Sequence, residues 1–140
     1  MADQRALCFG LLDIDHFKRV NDGYSHDVGD EVLRRVAKVM QDVLGSPTAG
    51  ESPARVGRWG GEEFALIFPG ADMASARASA ERIRLAIAAM DCSTFAPGLQ
   101  LTVSIGLAER TGFPHHEKMV SRADEKLYEA KHGGRNQIVA

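Results

Sequence analysis

The stretch Arg58-Trp59-Gly60-Gly61-Glu62-Glu63-Phe64, running on into Ala65-Leu66-Ile67-Phe68, decides how this sequence folds. A short run from Arg55 to Arg58 leads into two glycines, and a fully apolar run leads out of them. That order predicts a β-hairpin with a Gly60-Gly61 turn. Glycine allows a tight turn and leaves the backbone open to a close ligand. Glu62 and Glu63 follow at once, so two negative side chains stand beside a bare turn. A hairpin that only folds has no use for that pairing. A site for a metal ion carrying phosphates does.

Upstream, Ala6 to Leu12 is a nearly continuous apolar run that ends at Asp13, with the length of a buried strand. Asp15 to Asn21 reads as a short helix or turn. Asp27 to Leu44 carries Val28, Val32, Val36, Val39, Met40 and Val43 at three- and four-residue spacing, an amphipathic helix. Gly45 to Gly50 is a loop by composition. Downstream, Asp72 to Met90 repeats Met73, Ala76, Ala80, Ile83, Ile87 and Met90, a helix with Asp72 as its N-cap. Leu101, Val103, Ile105 and Leu107 alternate with Thr102, Ser104 and Gly106, which predicts a strand. A last helix runs from His115 or His116 to Lys131 and is closed by Gly133-Gly134. Gln137 to Val139 is a candidate final strand. Strands interleaved with long helices, with a hairpin among them, imply a mixed sheet covered by helices. No repeat, low-complexity tract or internal boundary divides residues 1–140, so one domain is expected.

The composition sets limits on function. The chain has 140 residues, 44% hydrophobic and 26% charged, ordinary values for one soluble domain. A net charge of -2 gives no general attraction to nucleic acid or acidic membranes, so phosphate binding must come from local placement of charge. Cys8 and Cys92 form no spaced motif. Cys8 lies in an apolar run, which suits a buried thiol in a reducing compartment. No apolar run approaches the roughly 20 residues needed to span a bilayer, and the N-terminus lacks a signal-peptide pattern. A cytoplasmic location is expected, either for the protein itself or as the cytoplasmic piece of something larger.

Three further groups carry chemistry. In Asp13-Ile14-Asp15-His16-Phe17-Lys18, period two puts Leu7, Phe9, Leu11 and Asp13 on one face of the first strand. Mg²⁺ takes oxygen ligands, commonly one or two carboxylates plus substrate phosphates. Asp13 and Glu62 supply those carboxylates if the hairpin lies beside the first strand. Asp15 has a simpler reading, as the cap of the next helical turn. In Asn21 to Asp30, polar residues and glycines suit a turn before a helix, yet Asn21 and Asp30 also suit the edge of a guanine, whose N1–H and amine a carboxylate accepts. His26 is read as a cap or a structural hydrogen-bonding residue, not a catalyst. In Lys131 to Asn136, cations in a last helical turn offset the helix dipole. Lys131 and Arg135 on a glycine-rich bend can equally clamp phosphate oxygens.

Together these blocks resemble the GGDEF domain family, the diguanylate cyclases, over nearly the whole chain from about Leu7. The signature variant is Gly60-Gly61-Glu62-Glu63-Phe64. The D-x-D-x-F-K-x-x-N-D block is Asp13, Asp15, Phe17, Lys18, Asn21 and Asp22, and H-x-x-G-D is His26, Gly29 and Asp30. The strand L-T-V-S-I-G is Leu101 to Gly106. The terminal block is Ala123, Asp124, Leu127, Tyr128, Ala130, Lys131, Gly134, Arg135 and Asn136. The resemblance implies an α+β fold like the polymerase palm and the nucleotide cyclases, with a central, mixed, mainly antiparallel five-stranded sheet wrapped by helices.

It also implies an activity, the condensation of two GTP to cyclic di-GMP with loss of two pyrophosphates. By position, Asp13, the Ile14 carbonyl and Glu62 would bind Mg²⁺ or Mn²⁺. Glu62 would be the base for the 3′-hydroxyl, and Glu63 would order the metal or the ribose. Asn21 and Asp30 would bind guanine. Phe17 and Lys18 would meet phosphates at the start of a short helix, Gly60 and Gly61 would admit the nucleotide, and Lys131 and Arg135 would hold the terminal phosphates. One domain holds one GTP, so catalysis is expected across a homodimer, assembled in the full-length protein by a sensor or receiver module.

Three departures from the family pattern stand out. The D-x-L-T-G-L-x-N-R segment that usually precedes the first strand is missing, so a truncated or naturally shortened form is expected. The inhibitory product site, R-x-x-D, is replaced by Glu51 and Ala54, so no feedback site is expected. Ser25 stands where glycine is usual, at a cost of about 1 kcal/mol if that position has positive φ. Two other activities remain open: a GTP-binding regulatory module without turnover, and a cyclase with relaxed base choice, against which Asp30 argues because a carboxylate pairs poorly with adenine N1.

Overall fold

The computed structural model describes residues 6–45, 54–110 and 116–140. In chain order the elements are β1 (Leu7–Ile14), α1 (Phe17–Gly23), α2 (His26–Leu44), β2 (Arg55–Gly60), β3 (Glu63–Pro69), α3 (Met73–Ala88), β4 (Val103–Glu109), α4 (His116–His132) and β5 (Ile138–Val139). The strands form one sheet in the order β2-β3-β1-β4-β5. Every pairing is antiparallel except β4 with β5. The sheet is therefore five-stranded, mixed and mainly antiparallel. His115, Glu51 and the Ser46–Gly50 part of the expected loop lie outside the described residues.

Both faces of the sheet are covered, which is why β1 reads as a nearly continuous apolar run. On one face Cys8, Leu12, Ile14, Leu66, Phe68, Val103, Ile105 and Leu107 pack with Val32, Val36 and Met40 of α2 and Ala76, Ala80, Ile83 and Ile87 of α3. On the other face Phe9, Leu11, Ala65 and Ala108 pack with Met119, Ala123 and Leu127 of α4. Gly106 lets α4 come down onto β4. A Cβ at Gly106 would collide with the α4 backbone at Ala123, Lys126 and Leu127.

Three local expectations change. The hairpin turn is Gly61-Glu62 rather than Gly60-Gly61. Gly60 pairs with Glu63 as the last residue of β2, and only Gly61 of the two glycines takes a positive φ, 50°. A bulge at Trp59 shifts the register and so moves the turn one residue on. Asp15 does not cap α1. The capping position belongs to His16, whose side chain makes no capping bond. Ser25 carries no positive-φ strain, because its φ of 178° is extended, and its hydroxyl accepts from Val28 N at 3.1 Å as the N-cap of α2. Asp72 caps α3 as its sequence predicts, accepting from Ser75 N at 2.8 Å.

Candidate active site

Asp13 sits near the end of β1, where Asp13 pairs with Glu63 of β3 on one side and Ser104 of β4 on the other. Residues directly opposite share a face, so Asp13 and Glu63 both point to the α4 side. Glu62 lies in the turn just beyond. Its carbonyl accepts from Ile14 N at 3.4 Å, which ties the hairpin tip to the end of β1. Trp59, at the bulge, sets its ring edge-on to Phe9 of β1 at 5.8 Å. Arg58 Nη2 donates to Gly61 O at 2.5 Å and steadies the turn.

From α4, Lys131 Nζ reaches across to Asp13 Oδ2 at 2.8 Å. Lys131 therefore does more than offset a helix dipole. Asp13 is only 5% exposed. Burial pushes its carboxyl up to about 6; Lys131 opposes that rise, and repulsion from Glu62 and Glu63 adds to it. Glu63 is also raised, first by burial, with Lys131 opposing and Asp124 and Glu62 adding. Four acids thus crowd one end of the sheet around a single ammonium. An oxygen-seeking divalent cation would relieve that crowding, so the donor set suits Mg²⁺ or Mn²⁺. Among the described residues no three His, Cys, Asp or Glu side chains are arranged to hold a metal by themselves.

The other candidate residues lie on α1, on α2, on the bend after α4 and, for Ala54, before β2. Phe17 opens α1 half-buried against the core, and Lys18 beside it is exposed. Asn21 lies against Gly29 of α2: a Cβ there would overlap Asn21 Oδ1 and come within 3.3 Å of Phe17 Cζ. That close approach explains the glycine in H-x-x-G-D, and it sets Asn21 one residue from the exposed Asp30. His26 begins α2. Arg135 is exposed on the bend after α4, with a φ of 63°. Ala54 precedes β2.

Sequence reasoning missed the surroundings of Asp15. Its carboxylate is 6% exposed and accepts from Thr102 Oγ1 at 2.7 Å, Ser104 Oγ at 2.7 Å and Asn136 N at 3.0 Å. The available signal was the pair of small hydroxyl residues, Thr102 and Ser104, inside an otherwise apolar strand.

Comparison with known proteins agrees with this fold. Residues 1–137 match the family described as diguanylate cyclase, GGDEF domain. The chain is a GGDEF domain. It is 41% identical over 135 residues to the diguanylate cyclase DgcM of Escherichia coli K12, covering 93% of this chain and 30% of that protein. This GGDEF domain thus spans under a third of that relative's length. Among solved structures, the GGDEF domain of DgcB from Caulobacter crescentus in complex with c-di-GMP is similar, with a TM-score of 0.85 at 38% identity, covering 96% of this chain and 77% of that one. The active GGEEF domain of a diguanylate cyclase from Vibrio cholerae gives a TM-score of 0.86 at 32% identity, covering 96% and 82%. No helix among the described residues is long and apolar enough to cross a membrane.

Proposed function

We propose that this GGDEF domain is a single catalytic unit, residues 1–140, that condenses two GTP into cyclic di-GMP across a homodimer. Two 3′-oxygen-to-α-phosphorus bonds form, two α–β phosphoanhydride bonds break, and two pyrophosphates leave. The observation that carries this reading is the buried Asp13 beside Glu62 and Glu63, with Lys131 reaching in from α4.

Asp13, the Ile14 carbonyl and Glu62 would hold the cation. When bound, Mg²⁺ or Mn²⁺ acidifies the 3′-hydroxyl and neutralises charge building on the phosphate. Glu62, on the turn, accepts the hydroxyl proton, and Glu63 orders the ribose end. Gly60 and Gly61 leave the backbone bare where the nucleotide passes. Asn21 and Asp30 hydrogen-bond guanine from two packed helices. Phe17 and Lys18 approach the phosphates from the start of α1, and Lys131 and Arg135 neutralise the terminal phosphates. What remains is positioning, which accounts for much of the barrier in such reactions. With Glu51 and Ala54 in place of R-x-x-D, product does not inhibit through that site. GTP as substrate puts the reaction in the cytoplasm, and a sensor or receiver module on the same polypeptide would pair two copies.

Incubation of a deliberately dimerised form with GTP and Mg²⁺, followed by chromatography of the nucleotides, tests the reading. Cyclic di-GMP is the expected product. GTP binding with no product would leave a regulatory nucleotide-binding module instead.

A further inference from the structure

The chain bends sharply after α4. Gly134, Arg135 and Asn136 have φ values of 122°, 63° and 46°. Glycine takes such values freely, but two consecutive residues with side chains in the left-handed region are strained. Strain of that kind persists only where the surroundings over-determine the backbone. Here they do so from both faces of the sheet. Asp15 Oδ2 accepts the Asn136 N–H at 3.0 Å, and Asp15 itself is fixed by Thr102 and Ser104. From α3, Arg84 Nη1 donates to Asn136 Oδ1 at 2.8 Å and lies 3.5 Å from Asn136 O. Glu81, one turn back, holds the Arg84 guanidinium in place. The chemistry proposed above uses neither Asp15 nor Arg84.

We propose that Asp15 and Arg84 clamp Asn136 and so fix the bend between Lys131 and Arg135, pre-setting those two cations to receive a triphosphate. This rests on the phosphate-binding role given to Lys131 and Arg135. Asp15 is then a positioning residue that works as a hydrogen-bond acceptor, not as a charge. Its donors are neutral, and two of them are hydroxyls, which can also accept. An amide can therefore replace the carboxylate, with its oxygen toward Asn136 N–H and its nitrogen toward Ser104 Oγ.

The test measures binding of a non-hydrolysable GTP analogue by calorimetry and of guanosine by NMR titration. Asp15→Asn should bind the analogue within about twofold of wild type and keep its turnover, while Asp15→Ala should bind it at least about tenfold more weakly, with guanosine unchanged. Asn136 is exposed, so changing its side chain opens no cavity in the core. Asn136→Ala, which loses the bond to Arg84 and is strained at this φ, should weaken the analogue, and Asn136→Gly, which loses the same bond but adopts the φ freely, should recover only part of the loss. A folded Asp15→Asn protein without turnover would give Asp15 a charged role and overturn the clamp. So would Asn136→Ala binding as tightly as wild type. Wild-type protein that fails to bind the analogue would overturn the reading of the phosphate site itself, a result separate from any variant.

Discussion

Asp13 ends an apolar strand and is 5% exposed, so its carboxylate loses most of its hydration on folding while two glutamates stand nearby. Its folded-state value of about 6 lies above the ordinary 3.8. The folded protein therefore binds more protons than the unfolded chain between those values, and stability from this group falls as pH rises through that window. At pH 7 without a cation, the charged Asp13 opposes folding. Asp13→Asn should therefore raise the pH 7 melting temperature of the metal-free protein, with a gain of about 1–2 kcal/mol after allowing for Lys131. The two proteins should converge near pH 4, and the variant should lose cyclase activity. Thermal melts across pH check this; a variant that melts lower at pH 7 would mean that the Lys131 pair outweighs burial. Glu62→Gln keeps shape and removes a charge from the half-buried turn. It should cut turnover by roughly 100-fold or more while leaving the melting temperature nearly unchanged, as paired activity and melting assays would reveal. The Cys8 thiol, pushed by burial up to about 11, should resist alkylation at neutral pH until the protein unfolds. Rapid labelling of native protein would contradict that.

Elements were legible wherever one period dominated. The valine spacing of α2, the alanine and isoleucine spacing of α3, and the apolar run of β1 each correspond to an element in the structure. The turn between β2 and β3 was misplaced by one residue because a bulge depends on cross-strand register, which a single strand's pattern does not contain. The network around Asp15 was illegible for a related reason: its partners lie 87 to 121 residues away in sequence, whereas the cap that Ser25 gives Val28 is local and was hidden only by reading the serine as a replaced glycine. Asp13, Glu62 and Glu63 stand out in local motifs, whereas the Lys131 to Asp13 contact, 118 residues apart, needs α4 seated on β4. Gly106 controls that seating. Gly106→Ala should push α4 outward, costing about 1–3 kcal/mol, and should weaken GTP binding by withdrawing Lys131. Denaturant melts and calorimetry on one sample would show both effects, and a variant with wild-type stability would mean that α4 can shift without cost.

At the scale of the whole molecule, the proposed reading gives one sheet end one set of carboxylates, one pair of residues for guanine and one pair of cations for phosphate. Joining two GTP needs two such sets facing each other, because each 3′-hydroxyl must reach the other nucleotide's α-phosphate. A two-fold axis satisfies both attacks with identical geometry, since a self-complementary interface presents the same patch from each copy. On the proposed reading the active species is a dimer, whose population falls with the square of monomer concentration when association is weak. Turnover per mole of protein should accordingly rise in proportion to protein concentration at the dilute end and level off once dimer dominates. Fusion to a parallel coiled coil should remove the concentration dependence by raising the effective local concentration toward millimolar. GTP binding should remain unchanged throughout, because each site is complete for one nucleotide. Initial rates over a dilution series, with and without the fusion, decide the matter. A specific activity that stays flat on dilution while the protein sediments as a monomer would require both nucleotides to bind one copy, and the symmetric arrangement would have to be abandoned.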